Sequence, residues 1–430
     1  MHNFDKQVHN FYMKRRFLII LLVLFSLTFV GATDYNEKLK LTFNNGKTII
    51  STYIEEDYDI TNHLVYEQAV ERKIISPLED KIDQVKTLRE SGKSEKDAIL
   101  YCFPSIEKTI DNISKKVLVK PTDSKVFFMP NQTPMFVVSR EKNGLALDEE
   151  KLYKNIYDAL IYSKENVKVE TKQLYPSVCV KDNENTFYER GRFTTSIQAS
   201  STNRKDNIKK ALSSINGSVL SVGETLSFNN KTGPRNEQNG YKLAKIIKGN
   251  EYVDGLGGGV CQASTTLYNC ALLSGVEVLQ VSGHSLLPSY VLPSFDAMVN
   301  TGSSDLVIKN NTGGKLYIKA YANEEQATVI FYGKKNEYEI SRKSVTIKKG
   351  EMPKDKIVLD TKNKYFSNED TTLKKRISYS QPSVKSQGYL VYKKNGKTKK
   401  EILIREDYYN SKSGIIAERV EKDDAPLFFN

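Results

Sequence analysis

The chain has 430 residues, 39% of them hydrophobic, which is enough for two or three domains with sizeable cores. Its formal net charge at pH 7 is +12, so we expect an anionic polymer or a membrane surface as a partner. We do not expect nucleic acid, because the sequence contains neither zinc-ligand spacing nor a recognition-helix pattern. The four cysteines are too few and too scattered to build a disulfide scaffold in a chain of this length.

The N-terminus predicts export. Lys14-Arg15-Arg16 precedes an apolar run over residues 17–30, which is shorter than the ~20 residues of a comfortable membrane span. This pattern is typical of a secretory signal cleaved after Ala32, and the alternative is an uncleaved membrane anchor with its basic residues inside. Both place residues 33–430 outside the cytoplasmic membrane. Residues 1–32 hold four basic and one acidic side chain, a net +3, which leaves +9 on the exported part.

Residues 33–185 predict an α+β unit. Two short apolar strands flank an Asn-Gly turn, the signal of a β-hairpin, over residues 39–54. Apolar residues then recur at spacings of three and four, which indicates helices, and later segments alternate like strands. The helical segments are 78–88, 94–101, 104–114 and 148–164, and the strand-like segments are 117–129 and 167–174.

Residues 186–335 predict a central α+β domain, and residues 336–430 an all-β module with a loose tail. In the central domain, helices are expected over 201–213 and 261–273, and strands over 193–197, 276–281, 296–300, 305–309, 315–321 and 326–332. In the last module, Asn395-Gly396 separates two strand-like runs, which predicts a second hairpin. The chain is therefore expected to be a multidomain, exported α+β protein.

The most informative stretch of the chain is Gly255-Leu256-Gly257-Gly258-Gly259-Val260-Cys261-Gln262. Glycines allow a sharp turn and a close approach of the backbone. A cysteine at the helix N-terminus that follows experiences the positive end of the helix dipole, which favours the nucleophilic thiolate. Downstream, His284 and Asp296 are the residue types of a base and its orienting carboxylate, and Asp254 is an alternative carboxylate.

Structural explanations of these residues remain open. Cys261 also suits a small apolar position in a tight turn before a buried helix, His284 a turn-capping position, and Asp296 a structural one. If the catalytic interpretation holds, backbone N–H groups near the cysteine and neighbouring polar side chains are candidates for an oxyanion hole or substrate contacts. These candidates are Gly258, Gly259, Gln262, Ser264 and Thr265.

Cofactor and metal sites are not indicated. The glycine run lacks the lysine of a Walker motif, so nucleotide binding is not expected. No Cys-x-x-Cys pair occurs, and the other histidines are remote in sequence from His284. Cys261 and Cys270, nine positions apart on one helix, lie too far apart to bond to each other. Spacing leaves a Cys102–Cys179 disulfide undecided.

Several motifs of the central domain resemble the VanW family, over roughly residues 190–335. The motifs that carry the resemblance are Ser227-Phe228-Asn229, Thr232-Gly233-Pro234-Arg235, Gly240-Tyr241, the glycine–cysteine run, His284-Ser285 and Asp296-Ala297. Two positions depart from the pattern: Ser282 stands where the resemblance implies a basic residue, and Ser294 where it implies glycine. The resemblance implies a bacterial envelope protein of a family named for its association with glycopeptide-resistance operons, and it implies no particular activity.

The flanking regions carry weaker resemblances. Residues 143–148, followed by a helix, resemble the peptidoglycan-binding domain that often precedes VanW domains. Gly388, Asn395-Gly396 and Asp407-Tyr408 resemble the extracellular β-modules called G-five domains, which often follow them.

Together these features predict an extracytoplasmic protein, wall-associated or membrane-anchored, that binds or modifies peptidoglycan or another anionic wall polymer. One hypothesis is a cysteine-dependent acyl-transfer enzyme (amidase, endopeptidase or transpeptidase) that uses Cys261, His284 and Asp296. The chain order and the helix–strand placement of these residues are similar in arrangement to transglutaminase-like and papain-like folds, an analogy only. The alternative is a non-catalytic binding or scaffold protein of the envelope, connected with the cell wall or glycopeptide resistance. Redox chemistry at a lone thiol is a third possibility.

Overall fold

The computed structural model describes residues 35–44, 49–58, 77–248, 251–361, 364–366 and 371–419. The predicted signal or anchor (1–32) and the predicted tail (423–430) lie outside these ranges. Within them, no helix has both the length and the apolar character needed to cross a membrane. The chain divides into two compact units, Met1–Thr122 with Lys142–Pro176, and Asp123–Glu141 with Ser177–Asn430.

The described residues form helices and strands in both units, as an α+β protein requires. In chain order the helices are α1 (Pro77–Glu90), α2 (Glu95–Cys102), α3 (Ile106–Val117), α4 (Glu149–Ile161), α5 (Val180–Asn183), α6 (Thr202–Ile215), α7 (Phe228–Thr232) and α8 (Val260–Leu273). The strands of the first half are β1 (Tyr35–Asn44), β2 (Ile49–Tyr58), β3 (Val126–Phe128), β4 (Phe136–Val138), β5 (Gly144–Leu147), β6 (Asn166–Lys168), β7 (Thr171–Leu174), β8 (Tyr188–Ser196), β9 (Val219–Leu220), β10 (Thr225–Ser227), β11 (Leu243–Lys248) and β12 (Glu251–Leu256). Those of the second half are β13 (Glu277–Gln280), β14 (Val307–Lys309), β15 (Leu316–Ala322), β16 (Gln326–Gly333), β17 (Glu339–Lys349), β18 (Lys356–Asp360), β19 (Lys374–Ser378), β20 (Val384–Lys394), β21 (Lys397–Tyr409) and β22 (Ile415–Arg419).

In the described part of the first unit, four helices pack beside two small sheets. β1 and β2 form the predicted antiparallel hairpin, and β6 pairs in parallel with β1. β5 pairs with β7. The apolar residues of α3 recur at spacings of four, three and four, so one face of the helix is buried in the core. Ser94 caps α2 by accepting a hydrogen bond from the N–H of Asp97 at 3.1 Å, which fixes where that helix begins.

The second unit is built around α8. A four-stranded sheet with the order β8-β16-β15-β9 packs against this helix and α6, and the short sheet β10-β14-β13 lies beside it. Almost every residue of α8 is buried. A helix that is buried on all sides belongs to the core, so polar side chains on α8 must find partners inside the protein.

The hairpin β3–β4 groups with the second unit through aromatic contacts. Phe128 and Phe136 stack at 5.0 Å between ring centroids, and both rings contact Tyr317 of β15. Phe136 also stacks on Phe187 at 4.8 Å. Rings at these separations attract one another beyond their buried area, which explains why residues 123–141 leave the first unit. The boundaries at 186 and 336 stay predictions.

In the described part of 336–430, every regular element is a strand. β17, β20 and β21 form an antiparallel sheet. β18, β22 and β19 form a mixed sheet, in which β22 pairs in parallel with β18 and antiparallel with β19. The predicted hairpin is present as β20 and β21. Its turn residues Asn395 and Gly396 have φ values of 52° and 73°, as a two-residue primed turn requires.

Candidate active site

The glycine run places Cys261 in the first turn of α8. Gly259 precedes the helix with a φ of 107°, in the left-handed region that disfavours side chains. A Cβ at Gly258 would lie 2.7 Å from the carbonyl carbon and oxygen of Ala244, and a Cβ at Gly259 2.9 Å from the oxygen of Arg204. Both contacts are with main-chain atoms, which cannot move away without displacing the surrounding backbone. Glycine is therefore needed at both positions for α8 to begin where it does.

The sulfur of Cys261 contacts His284. Cys261 is partly buried, and its sulfur lies 3.3 Å from the main-chain oxygen of Val299. Burial acts to raise the pKa of the thiol, but the hydrogen bond with His284, the charge of His284 and that of Arg235 outweigh it, and the pKa is lowered from its ordinary value. Cys270, which is fully buried in the same unit, has no histidine partner, and burial raises the pKa of its thiol despite hydrogen bonds with neighbouring groups. The four cysteines are free thiols.

His284 is held between Cys261 and Asp296. Its Nδ1–H donates to Oδ2 of Asp296 at 2.6 Å, and its main-chain N–H donates to the same oxygen at 2.7 Å. Because Nδ1 serves the carboxylate, Nε2 is the ring nitrogen left for the sulfur. Burial acts to lower the pKa of His284, but the hydrogen bonds with Asp296 and Cys261 raise it to about 9. At neutral pH these directions favour a thiolate–imidazolium pair.

Asp296 is fully buried and ionised. Burial acts to raise its pKa, but the hydrogen bond and charge of His284, together with Arg405, lower it to about 2. Its second oxygen, Oδ1, accepts bonds from Nη2 of Arg405 and from the hydroxyl of Tyr409, both at 2.7 Å. Sequence reasoning missed Arg405 and Tyr409. They lie more than 100 residues beyond Asp296, and no local pattern connects them to it.

The polar residues after Cys261 are engaged inside the protein. The amide nitrogen of Gln262 donates to Thr195 Oγ1 at 3.0 Å and to the oxygen of Ser196 at 2.8 Å, while its oxygen accepts from Arg204 at 2.7 Å. Both N–H bonds of the amide are thereby used. In this geometry Gln262 joins α8 to β8 and has no N–H left for an oxyanion.

Ser264 and Thr265 attach α8 to the segment that carries Asp296. Ser264 Oγ donates to the oxygen of Ala297 at 2.6 Å, and the N–H of Ala297 donates to Oγ1 of Thr265 at 2.9 Å. Both hydroxyls are completely buried. The strand expected over 296–300 is wrong: only isolated bridges occur there, at Met298 and Asn300. The reason is that helix side chains take main-chain bonds that a neighbouring strand would otherwise make.

Arg235 and Tyr290 lie close enough to Cys261 for electrostatic interaction with its sulfur. Arg235, the last residue of the Thr232-Gly233-Pro234-Arg235 motif, packs against Gly257. A Cβ at Gly257 would lie 2.7 Å from Cγ of Arg235. Arg204 lies over the ring of Tyr290, 5.9 Å from its centroid. Burial raises the pKa of the Tyr290 hydroxyl well above its ordinary value, and the charges of Cys261 and Asp296 act in the same direction. The tyrosine is therefore a neutral hydrogen-bonding group at neutral pH.

The alternative carboxylate lies apart from this cluster. Asp254 is exposed on β12, where it pairs with Lys245 at 2.9 Å. Among the described residues, no group of three or more His, Cys, Asp and Glu side chains is arranged to hold a metal ion.

One of the two departures from the family pattern contacts the last sheet. Ser294, where glycine was expected, has a φ of 67°, in the region that favours glycine. Its buried hydroxyl bonds with Ser386 Oγ of β20 at 2.7 Å, which offsets part of the strain. Ser282 forms a bridge with Met298, next to the segment that α8 holds.

Comparisons with known proteins agree with the resemblance. A family model described as "VanW like protein" matches residues 203–332. The chain is 31% identical over 213 residues to "Uncharacterized protein YoaR" of Bacillus subtilis (strain 168), covering 47% of this chain and 68% of that protein. It is 29% identical over 115 residues to "Vancomycin B-type resistance protein VanW" of Enterococcus faecalis (strain ATCC 700802 / V583), covering 26% of this chain and 42% of that protein.

A solved structure titled "Crystal structure of HP0197-G5" matches 19% of this chain and 99% of its own, with 13% identity and a TM-score of 0.10. A likeness this low decides nothing about the last module, so its G-five character stays a prediction. The family model covers the glycine–cysteine helix together with His284 and Asp296. On these matches, the chain belongs to the VanW family.

Proposed function

We propose that the chain is a cysteine-dependent acyl-transfer enzyme of the bacterial envelope. One observation carries the proposal: a single buried imidazole is hydrogen-bonded both to the partly exposed Cys261 sulfur and to the buried carboxylate of Asp296. Nucleophile, base and orienting acid in this order are the arrangement that activates a thiol for attack on a carbonyl. Cys261 is the nucleophile, His284 the acid and base, and Asp296 holds the ring.

In the proposed reaction, the thiolate attacks the carbonyl carbon of an amide, and a C–S bond forms. Collapse of the tetrahedral intermediate breaks the C–N bond, and the imidazolium of His284 gives its proton to the leaving amine. The acyl group is then bound as a thioester to Cys261. Transfer to water gives amidase or endopeptidase activity, and transfer to a second amine gives transpeptidase activity. The developing oxyanion needs N–H donors. In the first turn of α8, the N–H groups of Val260 and Gln262 donate to the oxygens of Gly257 and Gly259, so we propose the main-chain N–H of Cys261 as a donor to the oxyanion.

The relatives and the charge suggest the substrate class. The name of the Enterococcus relative associates that protein with vancomycin resistance, and the family resemblance implies a place in the cell envelope. Residues 33–430 carry a net charge of +9, which suits an anionic wall polymer. We therefore propose peptide or amide bonds of peptidoglycan as the substrate class, and a location outside the cytoplasmic membrane, with a role connected to glycopeptide resistance.

Thiol reactivity tests the nucleophile. In the folded chain, Cys261 should react faster with iodoacetamide than Cys102, Cys179 or Cys270, because a larger fraction of it is thiolate. His284→Ala should slow this reaction. Mass spectrometry of the labelled peptides ranks the four sites. Equal labelling of all four, together with an unchanged rate in His284→Ala, would sink the catalytic proposal.

Product analysis tests the reaction itself. Incubation with purified wall fragments should release or join peptides, and Cys261→Ser should abolish this while the fold is kept, because the change is nearly isosteric. Cys179→Ser is the matched control: burial and neighbouring acids raise the pKa of that thiol, so its loss should leave the products unchanged. If Cys261 is labelled rapidly but wall fragments give no product, the result would contradict peptidoglycan as the proposed substrate class.

The second candidate is a non-catalytic binding protein of the wall. An open groove of about 620 Å³ favours it. Lys210 of α6, Lys231 of α7 and the segments 232–234 and 238–240 line this groove. Its lysines suit an anionic polymer. Retention of the chain on purified wall material should then fall as salt shortens the Debye length. Salt-dependent retention with an inert Cys261 would favour binding, and no retention at low salt would exclude it.

A further inference from the structure

The carboxylate of Asp296 receives half of its hydrogen bonds from the C-terminal sheet. Nη2 of Arg405 and the hydroxyl of Tyr409, both on β21, donate to Oδ1 at 2.7 Å. Nη1 of Arg405 also donates to the main-chain oxygen of Asp296 at 2.6 Å. Sequence patterns assigned β21 to a separate C-terminal module, yet its side chains reach the centre of the candidate site.

We propose that Arg405 and Tyr409 are positioning residues of the Cys261–His284–Asp296 site, so that β21 is part of the active site. The inference rests on the proposed function and goes beyond the central domain, since the family match ends at residue 332.

The geometry of the carboxylate supports a positioning role. Oδ2 takes two donors from His284 and Oδ1 takes the two from β21, so each oxygen has two donors. A guanidinium is planar and presents its N–H groups as a rigid fork. With one arm on the side chain of Asp296 and the other on its main chain, Arg405 prevents the carboxylate from turning. A fixed carboxylate keeps Nδ1 of His284 occupied and Nε2 directed at the sulfur.

Both positioning residues are themselves fixed. Tyr409 is fully buried, and its hydroxyl accepts the N–H of Ser294 at 2.8 Å while it donates to Asp296. Nε of Arg405 donates to Oδ2 of Asp407 at 2.8 Å. These bonds leave little freedom for the donors of β21 to move away.

β21 also contacts the loop that carries His284. A Cβ at Gly283 would lie 2.7 Å from Oδ1 of Asp407 and 3.1 Å from Nη2 of Arg405. Two residues further, the oxygen of Ser285 accepts the N–H of Asn410 at 2.7 Å. The strand end therefore touches the chain on both sides of His284. This contact explains the glycine before the histidine, because any side chain at 283 would displace Arg405 or Asp407.

The test is the pH dependence of Cys261 alkylation by iodoacetamide in the full chain, read from the labelled peptide by mass spectrometry. Arg405→Met should raise the pKa of Cys261 by about one unit or more. At a pH below the pKa of Cys261 in both proteins, the variant should then be alkylated roughly tenfold more slowly than the wild type. Tyr409→Phe removes one neutral donor, so its shift should be in the same direction and smaller, roughly half a unit. Arg405→Lys keeps the charge without the fork, and we expect an intermediate shift.

Arg190→Met is the matched control. Arg190 is another largely buried arginine of this unit, and it donates to the main-chain oxygen of Ser274 rather than to the site. Its loss should lower the melting temperature and leave the pKa of Cys261 unchanged. If Arg405→Met and Tyr409→Phe also lower the melting temperature without changing the pKa of Cys261, Arg405 and Tyr409 have a structural role only. That result would overturn the inference. An Arg405→Lys variant indistinguishable from wild type would overturn the role of the fork. An ordinary pKa for Cys261 in the wild type would overturn the proposed function itself.

Discussion

Replacement of Asp296 by asparagine tests the buried charge network most directly. Asparagine keeps the shape of the side chain but loses the charge, and one of its two positions becomes an N–H₂ donor. That N–H₂ group would face the N–H donors of His284 or the donors Arg405 and Tyr409 of β21, and no hydrogen bond can form between two donors. The variant also leaves Arg405 without its carboxylate partner on this side. The chain should therefore lose stability as well as thiol reactivity.

The size of the loss follows from two observations. The pKa of Asp296 is lowered from 3.8 to about 2, and a difference of almost two units corresponds to about 2.5 kcal/mol of stability at neutral pH. Removal of one partner from a buried ion pair typically costs about 3–5 kcal/mol, because the other charge stays buried. We expect Asp296→Asn to reduce the free energy of unfolding by about 2–5 kcal/mol.

Urea denaturation at neutral pH measures this difference through the midpoint, provided that the slope with urea is unchanged. Asp254→Asn is the matched control, since that carboxylate pairs with Lys245 at the surface, where both side chains are more than half exposed. An exposed pair contributes less than about 1 kcal/mol. If both variants lose the same small amount, the charge of Asp296 does not stabilise the fold.

Acid titration gives an independent check with a definite sign. A carboxyl whose pKa is lowered by folding stabilises the protein above its unfolded pKa, and this contribution disappears as the pH falls through the folded pKa. For Asp296 the window runs from about pH 4 down to about pH 2. Wild-type protein should lose this part of its stability there, whereas Asp296→Asn should not. Parallel curves for the two proteins across the window would refute the assignment.

Three further predictions follow from single contacts. Gly258→Ala should cost about 1–3 kcal/mol, since its Cβ would meet main-chain atoms at 2.7 Å. The control Gly314→Ala meets only the flexible side chain of Lys334 and should cost less, and equal melting temperatures for the two variants would contradict this. Arg235→Met should raise the pKa of Cys261, because the positive charge of Arg235 lowers it; an unshifted pH–rate profile for alkylation would show that the charge does not reach the sulfur. Thr265→Val removes the acceptor of a buried main-chain N–H and should destabilise by about 1–3 kcal/mol, and a urea midpoint equal to that of wild type would show that this bond is dispensable.

Local patterns in the sequence were sufficient for several elements. The glycine run and the helical spacing after it place the start of α8 within one residue of Cys261, because a sharp turn and a helix start are decided by neighbouring residues. The Asn-Gly pair at 395–396 identifies the hairpin of β20 and β21 for the same reason. The residue types also suggested His284 and Asp296, although their catalytic roles stay a prediction.

The directions of side chains around the helix required the tertiary structure. Gln262, Ser264 and Thr265 were expected to face a substrate, yet all three point into the protein. Polar residues on a helix normally indicate its solvent side, and this rule fails for α8 because the helix is buried on all sides. Their hydroxyl and amide groups instead serve as internal bonds that hold the segment with Asp296.

The donors on β21 were also beyond the reach of the sequence. Arg405 and Tyr409 are separated from Asp296 by 109 and 113 positions, and neither periodicity nor a short motif connects residues so far apart. Only the folding of the last sheet onto the central domain brings them to the carboxylate. The sequence by itself therefore determined the helix start and the residue types of the site. The tertiary structure decided which groups complete it, because hydrogen bonds between distant segments depend on packing rather than on local conformation.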